Sequence, residues 1–164
     1  MVFFEPWKTE IHELYGANEF LKEVPKLFDK AKEEILMTTG LSSEFYNKDE
    51  VKNALLNATG RGVKIKIIVD GGRKDLDKEL SWPKWDWIVK EIKSKNIEIK
   101  KYKNRIRHMI IVDKIHSRSE EPHSIQEENF DKRKNKIFYN DPAAEYIKIM
   151  FEGMWDECEN INLE

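Results

Sequence analysis

The chain has a single cysteine, Cys158, in 164 residues, which excludes an intramolecular disulfide and any multi-cysteine zinc module. Its 7 glycines and 5 prolines are too few for a collagen-like or low-complexity polymer. No apolar run approaches the roughly 20 residues that a membrane-spanning helix needs. The opening Met1-Val2-Phe3-Phe4-Glu5-Pro6-Trp7 lacks a basic leader and meets an acid and a proline at once, unlike a secretory signal. Charge of one sign is missing too: 29 Lys and Arg oppose 31 Asp and Glu, a formal net charge of −2. Domains that grip phosphates usually carry a clear positive excess, so this balance argues against direct nucleic-acid binding and leaves room only for a local basic patch. These absences read as a cytoplasmic, single-domain protein of a reducing compartment with no membrane partner.

Hydrophobic residues make up 40% of the chain and charged residues 37%, so a core lies under a highly charged surface. Richness in Lys, Glu and Ile with a lone Gln126 fits a thermophile, and the many Asn residues fit an AT-rich genome equally well.

The hydrophobic pattern predicts alternating helices and strands. The first 15 residues have little periodicity, and their aromatics Phe3, Phe4, Trp7 and Tyr15 suggest an N-terminal segment, residues 1–17, packed on a body formed by residues 18–164. Phe20, Leu21, Val24, Leu27, Phe28 and Ala31 recur at helical spacing, with Asn18 as the expected N-cap and Pro25 inside. Strands are expected at 34–39 and 63–69, the second leading into Asp70-Gly71-Gly72, with a helix at 49–59 between them. Trp85, Ile88, Val89 and Ile92 mark a third helix after Pro83, and 97–102 alternates like a half-buried strand. Met109–Val112 is an apolar strand ending at Asp113; residues 117–134 read as a long charged loop with some strand at its start; residues 135–139 are a last strand. In the closing helix Asp141 is the expected cap and Pro142 the first residue, with Ala143, Ile147, Met150, Phe151, Met154 and Cys158 on one buried stripe. The fold class is α/β: one mixed sheet flanked by helices, its first three strands parallel and the later ones antiparallel.

Few residues carry a chemical signal. Gly71-Gly72 follows a strand, but neither phosphate-loop motif is present and a plain turn explains it better. Trp85 falls on an apolar helical face, leaving Trp82 and Trp87 as surface aromatics. The run Lys100–Arg107 suits phosphate, and suits a lysine-guarded strand edge twice as well. His108, His116 and His123 lie close together with Asp113, Glu120 and Glu121 between them. Such a set can serve as a metal site, an acid–base pair or a hydrogen-bonded remnant.

Four segments together resemble the phospholipase D-like superfamily: Ala31–Thr39, Gly62–Asp70 with its G-V-x-V-x-V-x-x-D pattern, Ile106–Asp113, and Phe151–Asp156 with its F-x-x-x-W. The resemblance implies a phospholipase D-like mixed sheet flanked by helices. In that family H-x-K-x-x-x-x-D followed by G-S-x-N supplies a histidine nucleophile for phosphorus and a lysine for the phosphate oxygens. Aligned on Asp113, this chain has Ile106 in the nucleophile's place, His108 in the lysine's, and Glu120-Glu121-Pro122-His123 where G-S-x-N is expected. Isoleucine cannot attack phosphorus, and the two glutamates repel phosphate.

The resemblance therefore implies a domain without catalytic residues, similar to the effector half of archaeal sugar-responsive regulators of the TrmB type. It also implies a homodimer paired across the site, and a sensing role with a small polar ligand or a DNA-binding partner domain. His108, Asp113, Glu120, Glu121 and His123 are the expected pocket. Two histidines and one or two carboxylates suit zinc, and an inert hydrogen-bonded remnant is the commoner outcome, so no cofactor is assigned. The other reading is a diverged phosphodiesterase or nuclease working through His108, His123 and the carboxylates.

Overall fold

The computed structural model describes residues 8–121 and 134–163. Among these, eight strands form one sheet: β1 (Glu10–Tyr15), β2 (Glu34–Thr39), β3 (Lys64–Val69), β4 (Ile97–Lys101), β5 (Met109–Val112), β6 (His116–Glu120), β7 (Lys134–Tyr139) and β8 (Glu159–Asn160). The helices are α1 (Gly16–Asp29), α2 (Ser43–Tyr46), α3 (Asp49–Gly60), α4 (Leu76–Leu80), α5 (Asp86–Lys93) and α6 (Ala144–Glu157), with a 3₁₀ turn at Pro83–Trp85.

The strand order is β1-β7-β6-β5-β2-β3-β4-β8. The three expected parallel strands, β2, β3 and β4, pair in parallel, and all other pairings are antiparallel. Because side chains alternate across a strand, the sheet buries two faces separately. Ile35, Met37, Ile65, Ile67, Val69, Ile110, Val112 and Ile137 meet α1 to α5 in the main core. Leu36, Ile68 and Ile111 point the other way, against Ala144 and Phe151 of α6.

Several elements differ from the sequence expectation. Residues 10–15 form edge strand β1, paired along its whole length with β7. Only Leu14 is buried, so the alternation that announces a strand is missing and the pairing comes from β7. Phe3, Phe4 and Trp7 lie outside the described residues. Helix α1 starts at Gly16 rather than after Asn18, with the Glu19 carboxylate accepting the Tyr15 N–H, and it runs on through Pro25. Helix α3 includes Gly60, and the left-handed turn that follows it falls on Gly62 (φ 85°). The short α2, α4 and β8 carry too few residues to show a period.

Helix α6 begins at Ala144, two residues later than expected. Asp141 Oδ1 accepts the Ala143 N–H at 3.0 Å, so it caps the lead-in turn and not the helix itself. The inward stripe is Ala144, Ile147, Phe151, Met154, Trp155 and Cys158. Ala143 and Met150 are exposed: Ala143 precedes the helix, and Met150 lies on the side of α6 away from the sheet.

Candidate functional site

The parallel strands β2 and β3 end side by side, and β3 runs directly into Asp70, whose side chain is fully buried. A carboxylate there needs partners, since an unpaired buried charge is prohibitively expensive. Hydrogen bonds supply them: Asp70 Oδ1 accepts the Gly72 N–H at 2.9 Å, Arg105 Nε lies 3.0 and 3.1 Å from the two oxygens, and His108 Nε2 lies 2.9 Å from Oδ2. His108 is also buried, and its other ring nitrogen, Nδ1, stands 3.4 Å from Glu120 Oε2. Glu120 in turn faces Arg118 at 3.4 Å. The result is a chain of alternating charge, Arg105–Asp70–His108–Glu120–Arg118, across the ends of β3, β5 and β6.

Local structure explains how the sequence sets this up. Thr38 Oγ1 donates to the Arg107 carbonyl at 2.6 Å and accepts the Met109 N–H at 2.8 Å, clamping the entry to β5 against β2. Gly40 leaves room for the imidazole, because a Cβ there would lie 3.3 Å from His108 Cε1. Arg118 and Glu120 are two apart on β6, and Arg118 pairs in register with Ile110 and Ile137 of the main core, so both point to the helix-rich face.

The electrostatics follow from the geometry. Burial works to lower the His108 pKa, but the hydrogen bonds to Asp70 and Glu120 and their charges outweigh it and raise the pKa above its ordinary value. Burial likewise works to raise Asp70, and the bonds from His108, Gly72 and Arg105 outweigh it and hold the carboxyl below its ordinary value. Both favour an imidazolium between two carboxylates. Such a ring commits both of its N–H groups to the two carboxylates.

The sequence-predicted residues divide. His108 and Glu120 come together. Asp113 sits at the opposite end of β5, where its carboxylate accepts the backbone N–H groups of Lys32, Glu33 and Glu34 at 2.9, 2.9 and 3.0 Å. It also opens the β5–β6 hairpin, with Asp113 (φ 53°) and Lys114 (φ 49°) both left-handed, as mirror-image hairpin turns require. Glu121 follows Glu120 and points to the other side. It lines an open cleft of about 520 Å³ with Arg107, Lys134, Tyr15 and Phe138. His123 lies outside the described residues. His116 is elsewhere: its Nδ1 accepts the Asn140 N–H at 3.0 Å.

Asp70, Arg105, Arg118 and Asn135 are the members that the sequence reading missed. The signal for Asp70 was present, since it too is a carboxylate closing an apolar strand. Asn135 stands opposite Glu120 in the β6–β7 ladder. It is buried, and among the described residues neither its amide oxygen nor its amide nitrogen has a partner; the same holds for Arg118 Nε. Among the described residues no three His, Cys, Asp or Glu side chains converge as metal ligands would. Several of the other aromatic and basic residues have structural partners: Trp87 donates to Asn47 Oδ1 at 2.7 Å, Lys100 stands over the Trp155 ring, and Arg105 turns inward to Asp70, while Trp82 is exposed.

Comparison with known proteins gives a consistent result. The model of the family described as "Cardiolipin synthase, PLD-like domain" matches residues 24–120. No curated protein matches the sequence. Among solved structures, the chain is similar to TrmBL2, an archaeal chromatin protein whose structure is described as showing a novel mode of DNA binding (TM-score 0.67, 19% identity, 92% of this chain and 54% of that one). The chain thus spans about half of TrmBL2. It is also similar to Nuc from Salmonella typhimurium, a phospholipase D family member (TM-score 0.69, 18% identity, 94% and 99% of the two chains). NucT from Helicobacter pylori is a further likeness (TM-score 0.70, 12% identity, 94% and 100%). At these identities the structural likeness speaks for the fold alone.

Proposed function

This chain belongs to the phospholipase D-like family, and we propose that within it the protein is a non-catalytic sensor and interaction domain with a regulatory role. The observation that carries this reading is His108: it fills the lysine's place of the family motif, is buried, and spends both ring nitrogens on Asp70 and Glu120. Ile106, in the nucleophile's place, is half-buried against the α6 side of the sheet. Neither residue offers a nucleophile to a phosphodiester.

The sensing part of the proposal draws on Asn135 and Arg118. An unpartnered buried amide costs about 1–3 kcal/mol, so a small polar guest that bonds to Asn135 and Arg118 Nε gains what the empty arrangement forgoes. The His108, Glu120 and Asn135 end of the sheet is then the ligand-binding end, next to the cleft that Asn135 shares with Glu121, and Asp113 acts elsewhere. The regulatory part draws on the likeness to TrmBL2 and carries with it a homodimer and a DNA-binding partner domain as expected associates.

The test is incubation with a chromogenic phosphodiester, with and without divalent metals. No turnover is expected under any condition. Turnover that disappears in His108→Ala would overturn the proposal and establish a diverged phosphodiesterase.

A further inference from the structure

Helix α6 is amphipathic twice over. Its inner stripe packs on the sheet, while Tyr146, Ile149 and Met150 stand 73%, 61% and 61% exposed on the side away from it. Their spacing of three and four residues makes them neighbours on one ridge, and Gly153, the next position on that ridge, has open space where a Cβ would go. Single exposed hydrophobics need no explanation, but a contiguous ridge of three large ones marks a surface that another molecule covers.

The charges beside the ridge say what kind of molecule. The exposed charged residues of α6 are Glu145, Glu152, Asp156 and Glu157, all acidic. The helix's one basic residue, Lys148, is turned toward the body and paired with Glu34 and Glu152. A second copy of α6 laid against the first would set acid against acid in either direction. An anionic membrane surface would be repelled in the same way, and so would nucleic acid.

We infer that the outer face of α6 docks a protein partner through a basic amphipathic helix, whose apolar side chains cover Tyr146, Ile149 and Met150 and whose lysines or arginines meet Glu145, Glu152 and Asp156. This is the helix-on-helix form of recognition, with anchors at three- and four-residue spacing giving affinity and the flanking charges giving selectivity. The ridge faces away from the sheet side that carries His108 and Glu120, so this inference and the non-catalytic reading stand or fall separately.

The test uses a fluorescently labelled helical peptide with a leucine stripe flanked by lysines, titrated at physiological salt by anisotropy. A peptide with the same stripe flanked by glutamates serves as comparison. The lysine peptide is expected to bind and the glutamate peptide to fail. Ile149→Asp with Met150→Asp should weaken binding by about tenfold or more, while Ile11→Asp, at another exposed apolar position, should leave it unchanged. All three positions are exposed, so melting temperatures should stay close to that of the parent chain. Equal binding of both peptides, or binding that survives the α6 substitutions, would overturn the inference. A dimer that falls apart in the Ile149→Asp, Met150→Asp variant, or vesicle binding lost in it, would also overturn it by making a second copy or a membrane the occupant.

Discussion

His108 and Asp70 meet at 2.9 Å although 38 residues separate them, one entering β5 and the other leaving β3. Their pairing ties the end of β3 to the start of β5, and Glu120 braces the ring from its far side.

Removing the imidazole takes from two buried carboxylates, Asp70 and Glu120, the cation they share. His108→Ala should cost about 3–5 kcal/mol, the usual range when one member of a buried charge pair is deleted, and toward its lower end because Asp70 keeps Arg105 and Glu120 keeps Arg118. Chemical denaturation measures it; a loss under about 1 kcal/mol, as for an exposed pair, would mean the ring is not held as described.

The same pair makes stability depend on pH. The His108 pKa is raised from 6.5, so its contribution is complete below that value and is lost as pH rises through the folded-state pKa. The Asp70 pKa is lowered from 3.8, so its contribution is present above that value and is lost as pH falls through the folded-state pKa. The stabilising effect of the pair is therefore greatest between 3.8 and 6.5. Melting curves taken from within this range to well above it should show the gap between the parent chain and His108→Asn steady inside the range and narrowing as pH rises through the raised His108 pKa; a gap that stays unchanged on that alkaline side would contradict the imidazolium assignment.

Gly71 lies where the loop after β3 touches the loop before β5. A Cβ there would meet the carbonyl oxygens of Tyr102 and Asn104 at 2.6 and 2.7 Å, both backbone and unable to step aside. Gly71→Ala should thus destabilise by about 1–3 kcal/mol, the range for overpacking. It should also loosen Arg105 from Asp70, which faster hydrogen exchange in residues 102–107 would report. Unchanged stability would show the two loops to be further apart.

Phe151 and Met150 are adjacent on α6, the first buried against the sheet and the second exposed. Phe151→Ala should cost about 3–5 kcal/mol through a cavity under the helix, and Met150→Ala should stay within about 0.5 kcal/mol. Equal costs would mean that α6 is rotated from its observed setting. Cys158, half-buried with its thiol donating to the Met154 carbonyl at 3.1 Å, has its pKa raised by burial and should react slowly with a thiol reagent in the native state.

Asp113→Asn tests the other end of β5. Asparagine tolerates the left-handed backbone there, yet it accepts fewer of the three N–H groups that the carboxylate now holds. A loss of about 1–2 kcal/mol is expected from weakened charge-assisted bonds, with the His108 end undisturbed. A change in the pH dependence attributed to His108 would show that the two ends are coupled after all.

The sequence by itself determined the α/β class, the parallel β2-β3-β4 unit, the antiparallel strands after it and the closing helix, because each rests on local periodicity that a reader can count. It also shows Ile106 and His108 at the positions that the resemblance assigns to the family's histidine and lysine. What only the tertiary structure decided is which polar residues meet. Glu120 and Glu121 are neighbours in sequence, but strand alternation sends one to His108 and the other to an open cleft. Asp113 and Asp70 both end apolar strands, but β5 runs against β2 while β3 runs with it, so Asp70 arrives beside His108 and Asp113 arrives at the opposite edge. Edge strand β1 and the exposed ridge of α6 were hidden for the same reason: pairing with β7 and the rotation of a helix on its sheet are set by contacts distant in sequence, which local pattern does not encode.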